Sequence, residues 1–124
     1  IASIIDGSPV GFEVLSGHDE DTLPMMGLGA TGVISVASHV AGPQLAEMLA
    51  AQAGGDHTRA LKIHLELMPL FKALFMTANP IMVKKALELA GYPVGECRLP
   101  LIPADDAQTA EMARIMRHLG LLHD

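Results

Sequence analysis

The spacing of apolar and polar positions changes character at Gly54-Gly55. Upstream, short strand-like runs alternate with helix starts, and downstream every strong signal repeats at helical spacing. Phe12 to Ser16 reads as a short strand of mixed polarity. Gly32 to Ala37 is a continuous apolar and β-branched run, the pattern of a parallel strand buried on both faces. Between them Thr22-Leu23-Pro24 opens a helix, with its proline near the first turn where a missing N–H costs little, and Gly27 and Gly29 keep it short. Ile1 to Ile5 closes a preceding helix, and Asp6-Gly7-Ser8-Pro9 turns into the first strand. Strand, helix, strand in this order predicts a right-handed βαβ unit.

Four helices are predicted after the second strand. Pro43 to Ala53 carries Leu45, Met48, Leu49 and Ala53 on one face and stops at Gly54-Gly55. Asp56 caps the next, whose apolar stripe is read through Leu61, Leu65, Met68, Phe71 or Ala73, and Phe75, with a kink at Pro69. Asn79-Pro80, as N-cap and first residue, opens a helix through Val83, Leu87 and Ala90 that ends at Gly91. Leu99-Pro100-Leu101-Ile102-Pro103 is a stiff apolar connection across the bundle surface. Asp105 or Asp106 caps the last helix, which turns Met112, Ile115, Met116 and Leu119 inward and stops at Gly120.

The two strands pose a physical problem. A parallel pair with apolar faces has unpaired edges on both sides and needs more sheet beside it and helices over it. The strand segment therefore reads as part of something larger, and the opening residue Ile1 in place of Met suits a truncated product.

Composition narrows the picture. With 124 residues, 50% hydrophobic, eight Met, no Trp and few other aromatics, the chain can bury a core and favours helix-on-helix packing. A net charge of -6 without a clustered basic face argues against nucleic acid. No apolar run approaches the ~20 residues that span a bilayer, and no signal-peptide pattern opens the chain. Cys97 is the single cysteine, so an internal disulfide is impossible and a reducing cytoplasm fits best.

Candidate chemistry concentrates in Leu15-Ser16-Gly17-His18-Asp19 and Gly32-Val33-Ile34-Ser35-Val36. Gly17-His18-Asp19 can line a pocket, form an ordinary strand-to-helix turn with an aspartate cap, or contribute to a metal site with Glu20 and Asp21. The metal reading is weakened because these ligands are consecutive and have no distant partner. From pattern alone Ile34 is core. His39, His57, His64, His118 and His123 read as surface or capping residues, Cys97 as an inert loop or packing residue, and the Leu and Met stripes as core or a subunit contact.

The stretch from Leu15 to Ser38, then Asn79-Pro80-Ile81-Met82-Val83-Lys84, then Arg98-Leu99-Pro100-Leu101, resembles the C-terminal portion of the pyruvate-dependent class I aldolases, the family of dihydrodipicolinate synthase and N-acetylneuraminate lyase. The resemblance covers nearly all of this chain but under half of a family member. It implies an α/β fold in which residues 1–54 form the last two strands of a (β/α)8 barrel and residues 55–124 a small all-α domain. It implies a lysine on the sixth barrel strand that forms a Schiff base with pyruvate, and tyrosines that move protons, all preceding Ile1. The imine serves as electron sink, so that the pyruvate methyl loses a proton and attacks the aldehyde of aspartate semialdehyde. Lys62, Lys72, Lys84 and Lys85 fall on predicted helices outside the barrel and do not supply the imine lysine.

Active sites of such barrels lie at the C-terminal strand ends. By resemblance, Ile34 offers its backbone carbonyl near pyruvate, Gly17 lines the aldehyde side, and Asp19 is the matching carboxylate, with His18 where many members carry a second acid. The implied partners are pyruvate, an aldehyde, the N-terminal barrel segment and further subunits of a homotetramer, without cofactor or metal. Two other readings stay open: a sibling aldolase acting on sugar acids, and a non-catalytic helical interaction module.

Overall fold

Eight elements follow one another in the computed structural model of the chain, which describes residues 1–122: α1 (Ala2–Gly7), β1 (Leu15–Ser16), α2 (Thr22–Gly27), β2 (Gly32–Val33), α3 (Ser38–Ala53), α4 (His57–Leu74), α5 (Ile81–Leu89) and α6 (Asp106–His118). β1 and β2 pair in parallel, Leu15 opposite Gly32 and Ser16 opposite Val33. Gly32 packs closely there: a Cβ on it would lie 3.3 Å from the end of the Leu15 side chain.

The strands are shorter than their apolar runs. Flanking bonds from the Thr31 N–H to the Val14 carbonyl and from the Ile34 N–H to the Ser16 carbonyl, each 2.9 Å, extend the contact by a residue either way. Beyond them the pairing stops. Residues 34–37 bend into α3 instead of continuing a ladder, and Ile34, a core position by pattern, is 73% exposed. A strand with a single neighbour has no second sheet face or edge to bury such a run against.

α3 begins five residues before Pro43, at Ser38, and breaks at Ala41, whose φ of -127° and ψ of 34° are non-helical. The proline accounts for both facts. It lacks the N–H that would bond back one turn and its ring crowds that turn, so Pro43 opens the main segment and the first turn is appended at an angle. Asp56 caps α4, accepting the Arg59 N–H at 3.0 Å. α4 runs from His57 to Leu74 as one helix with Pro69 inside it.

The inward face of α4 differs from the predicted stripe. Leu61 is 50% and Leu65 60% exposed, Phe75 lies half outside, and the buried positions are Ala60, Ile63, His64, Leu67, Leu70, Phe71, Ala73 and Leu74. Both sets repeat at helical spacing, so periodicity could not choose between them; packing against α3 and α6 chose the second. α5 starts at Ile81, after Pro80, with no side-chain cap from Asn79, and buries Ile81, Met82, Val83 and Ala86. It ends as predicted at Gly91, whose φ of +89° suits only glycine. Asp105, rather than Asp106, caps α6 through a reciprocal box with Gln108.

One core runs through the helices on both sides of Gly54-Gly55, from Ala37 and Met48 of the α3 region through Leu70, Phe71 and Leu74 to Met82, Met112 and Met116. Methionine fills the irregular space between helices that a core without tryptophan leaves. On the outside Arg59 Nε and Nη2 reach Glu47 Oε1 at 2.9 and 2.7 Å and tie α4 to α3. Leu101 packs on this core while Leu99 and Ile102 face outward. Among the described residues no helix is long and apolar enough to cross a membrane.

Candidate functional site

The C-terminal ends of β1 and β2 carry the motif residues. Ser16, fully buried, donates through Oγ to the His18 carbonyl at 2.7 Å and accepts the His18 N–H at 3.1 Å. Thr22, also buried, donates to the same carbonyl at 3.1 Å. These bonds close a tight turn with Gly17 at its exposed apex, where an added Cβ would meet nothing within 4 Å.

Opposite the turn lies the exit from β2. The Ile34 N–H is held by Ser16, and among the described residues no hydrogen bond is donated to the Ile34 carbonyl. A strand-end carbonyl left free beside an exposed glycine is a main-chain acceptor available to a ligand. Gly17 and Ile34 thus each lie one residue past the last pair of the parallel register.

Asp19 is 1% exposed, and its carboxylate turns inward. Oδ2 accepts the N–H groups of Val36 at 3.1 Å and Ala37 at 3.0 Å, and Oδ1 accepts the Ser35 hydroxyl. Ser35 Oγ in turn accepts the Ser38 N–H at 2.8 Å. The carboxylate therefore caps α3 from another segment, where the helix dipole favours negative charge. Hydrogen bonds to a charged group contribute about 1.5–3 kcal/mol each.

His18 is exposed. Its Nδ1 lies 3.5 Å from Asp21 Oδ2, and its ring centroid is 5.5 Å from that of Phe75 just past α4. His18, Asp19, Glu20 and Asp21 do not converge, and among the described residues no three His, Cys, Asp or Glu side chains form a metal-sized cluster.

The other histidines divide. His39 and His57 are exposed beside Val36 and Gln52, and His118 is exposed in the last turn of α6. His64, expected at the surface or in a cap, is 8% exposed with Nδ1 unpartnered among the described residues. Its ring lies 5.9 Å from that of Phe71. Burial pushes its imidazole below the ordinary histidine range, with Glu20 opposing the shift. His123 lies outside the described residues.

The lysines lie away from the strand ends. Lys62 and Lys72 are exposed on α4, Lys84 Nζ donates to the Glu96 carbonyl at 2.7 Å, and Lys85 Nζ to Glu88 at 2.8 Å. Sequence reasoning placed Ser16 and Ser35 within the site motifs without giving them a role, and missed Thr22 as part of the site's polar frame. Small hydroxyl residues next to turns are too common to signal a role until burial is known.

Comparison with known proteins bears directly on this arrangement. The profile of the dihydrodipicolinate synthetase family matches residues 2–119. The chain belongs to that family. It is 47% identical over 122 residues to the 4-hydroxy-tetrahydrodipicolinate synthase of Symbiobacterium thermophilum, covering 98% of this chain and 42% of that protein. Its structure superposes on the crystal structure of dihydrodipicolinate synthase from Aquifex aeolicus with a TM-score of 0.93 at 40% identity, over 99% of this chain and 42% of that one. A structure described as the first monomeric dihydrodipicolinate synthase variant gives a TM-score of 0.93 at 39% identity, over 98% and 40%. The chain corresponds to the C-terminal part of these dihydrodipicolinate synthase barrels and spans well under half of their length.

Proposed function

We propose that the chain is the C-terminal part of a 4-hydroxy-tetrahydrodipicolinate synthase, a lyase that condenses pyruvate with aspartate semialdehyde through a lysine Schiff base. Residues 1–54 then complete a (β/α)8 barrel and residues 55–124 form its helical domain. The observation that carries this reading is an exposed Gly17 and a free Ile34 carbonyl, each one residue past the last pair of two adjacent parallel strands, at the C-terminal ends where barrels of this kind place substrate. Names borne by relatives at 47% identity and better point to the same reaction.

On this reading Ile34 supplies a main-chain oxygen beside the bound pyruvate, and Gly17 leaves room for the aldehyde. Both roles use backbone or the absence of a side chain, so neither requires a titratable group from this segment. The imine lysine comes from the preceding barrel strands. An amine nucleophile needs a desolvated pocket to lose its proton, which none of Lys62, Lys72, Lys84 and Lys85 has. The fold leaves the number of subunits open, and we assign the homotetramer on the family resemblance alone, against the monomeric variant among the neighbours. A single free thiol, Cys97, fits a reducing cytoplasm.

The test is the intact mass of the full-length protein before and after incubation with pyruvate and borohydride, which reduces the imine to a stable amine. One adduct, mapped to a lysine outside residues 1–124, is expected, together with turnover of pyruvate and aspartate semialdehyde. Uptake of pyruvate without that turnover would assign a sibling aldolase, and no uptake would leave a helical interaction module.

A further inference from the structure

We infer that Asp19 is a positioning residue: through the α3 N-terminus and Ser35 it fixes where the Ile34 carbonyl stands relative to the Gly17 turn. This rests on the aldolase reading above and adds to it the residue that sets the geometry of the site.

The segment after β2 has little else to hold it. β2 ends at Val33, the Ile34 side chain is 73% exposed, and α3 supplies no cap from its own N-cap residue, Ala37. The acceptors that pin the segment trace back to the β1 end. Ser16 takes the Ile34 N–H at 2.9 Å, Asp19 takes the N–H groups of Val36 and Ala37, and Ser35, itself bonded to Asp19, takes the Ser38 N–H. The Ile34 carbonyl is thus flanked on both sides by clamped peptides while itself remaining free. That is the arrangement of a preorganised acceptor, held by its neighbours and open to a ligand.

The same geometry separates Asp19 from a substrate-contacting role. Its carboxylate is 1% exposed and both oxygens already accept from within the chain, so it has no face toward a ligand at the strand ends. Removing it would free two buried N–H groups and the Ser35 hydroxyl, and let residues 34–37 shift. Displacements of about 1 Å at a reacting centre cost on the order of a hundredfold in rate. Asparagine caps helices about as well as aspartate, so Asp19→Asn should keep most of the clamp without the charge.

The experiment measures kcat and KM for both substrates in full-length parent, Asp19→Ala, Asp19→Asn and Ser35→Ala proteins. Rates are expressed per site titrated with pyruvate and borohydride, so misfolded protein is not counted. Asp19→Ala is expected to lose about ten- to a hundredfold in kcat per titrated site with pyruvate KM within about threefold, and Asp19→Asn to stay within about threefold of parent. Loss in both variants with a raised KM for the aldehyde would overturn the inference by showing that the charge itself meets substrate. Unchanged kcat per titrated site, with only a lower melting temperature, would overturn it in favour of a purely structural cap. If Asp19→Ala yields no folded protein, Ser35→Ala decides: a lower per-site kcat at unchanged pyruvate KM supports the clamp, and parental kinetics overturn it. A parent that takes up no pyruvate overturns the aldolase reading itself.

Discussion

The rings of His18 and Phe75 meet with centroids 5.5 Å apart and planes tilted by 34°. The contact joins the turn at the end of β1 to the end of α4, so a residue at the candidate site leans on that helix. Aromatic pairs of this kind contribute about 0.5–1.5 kcal/mol beyond their buried area. Phe75→Ala is expected to lower stability by about 1 kcal/mol in denaturant titration and to loosen the Gly17 turn, seen as faster amide hydrogen exchange at residues 17–21. Unchanged exchange there would separate the turn from α4.

The exposed and buried faces of α4 should respond differently to truncation. Leu67→Ala or Leu70→Ala removes a fully buried side chain and should cost about 2–5 kcal/mol in chemical denaturation. Leu61→Ala and Leu65→Ala should stay within about 0.5 kcal/mol. Equal losses on both faces would mean that another surface covers Leu61 and Leu65 in the assembled protein.

His64 sets a direction for the pH dependence of stability. In the folded chain burial holds its imidazole below the ordinary value of 6.5, with Glu20 opposing, so the unfolded chain takes up the proton first as pH falls. The contribution is complete above about pH 6.5 and declines as pH drops from there toward the folded-state value. Melting temperature followed from pH 8 to pH 5 should fall on the acid side, and His64→Gln, neutral throughout, should flatten that decline. An equal slope in both proteins would assign it to other groups.

The two aspartates at the start of α6 are distinguishable by experiment. Asp105 closes a capping box with Gln108, so Asp105→Ala should cost about 1 kcal/mol in urea unfolding. Asp106 sits in the first turn, where it interacts with the helix dipole, and Asp106→Ala should cost about 0.3–1 kcal/mol, at the low end because it is exposed. The reverse order would place the helix start one residue later.

Much of this architecture was legible in the order of residues, for local reasons. Asp56, Asp105, Gly91 and Gly120 end or begin helices through their own backbone and side-chain chemistry, and the apolar stripe of α6 holds in buried Met112, Ile115 and Met116, with Leu119 partly buried just past the helix. The Gly17 motif could be placed at a strand end because strand, helix and strand follow in order, whereas Ile34 read as core from its pattern and was tied to the site by resemblance alone. Three things required the tertiary structure. The inward face of α4 was decided by its neighbours, since two apolar stripes of equal period cannot be ranked by period. His64 became a buried group on the inward face of α4, beside Phe71, which no single-residue preference encodes. Asp19 changed from a residue beside a pocket glycine into the cap of a helix 18 positions on, because a carboxylate's partner is set by which backbone donors the fold leaves unpaired nearby.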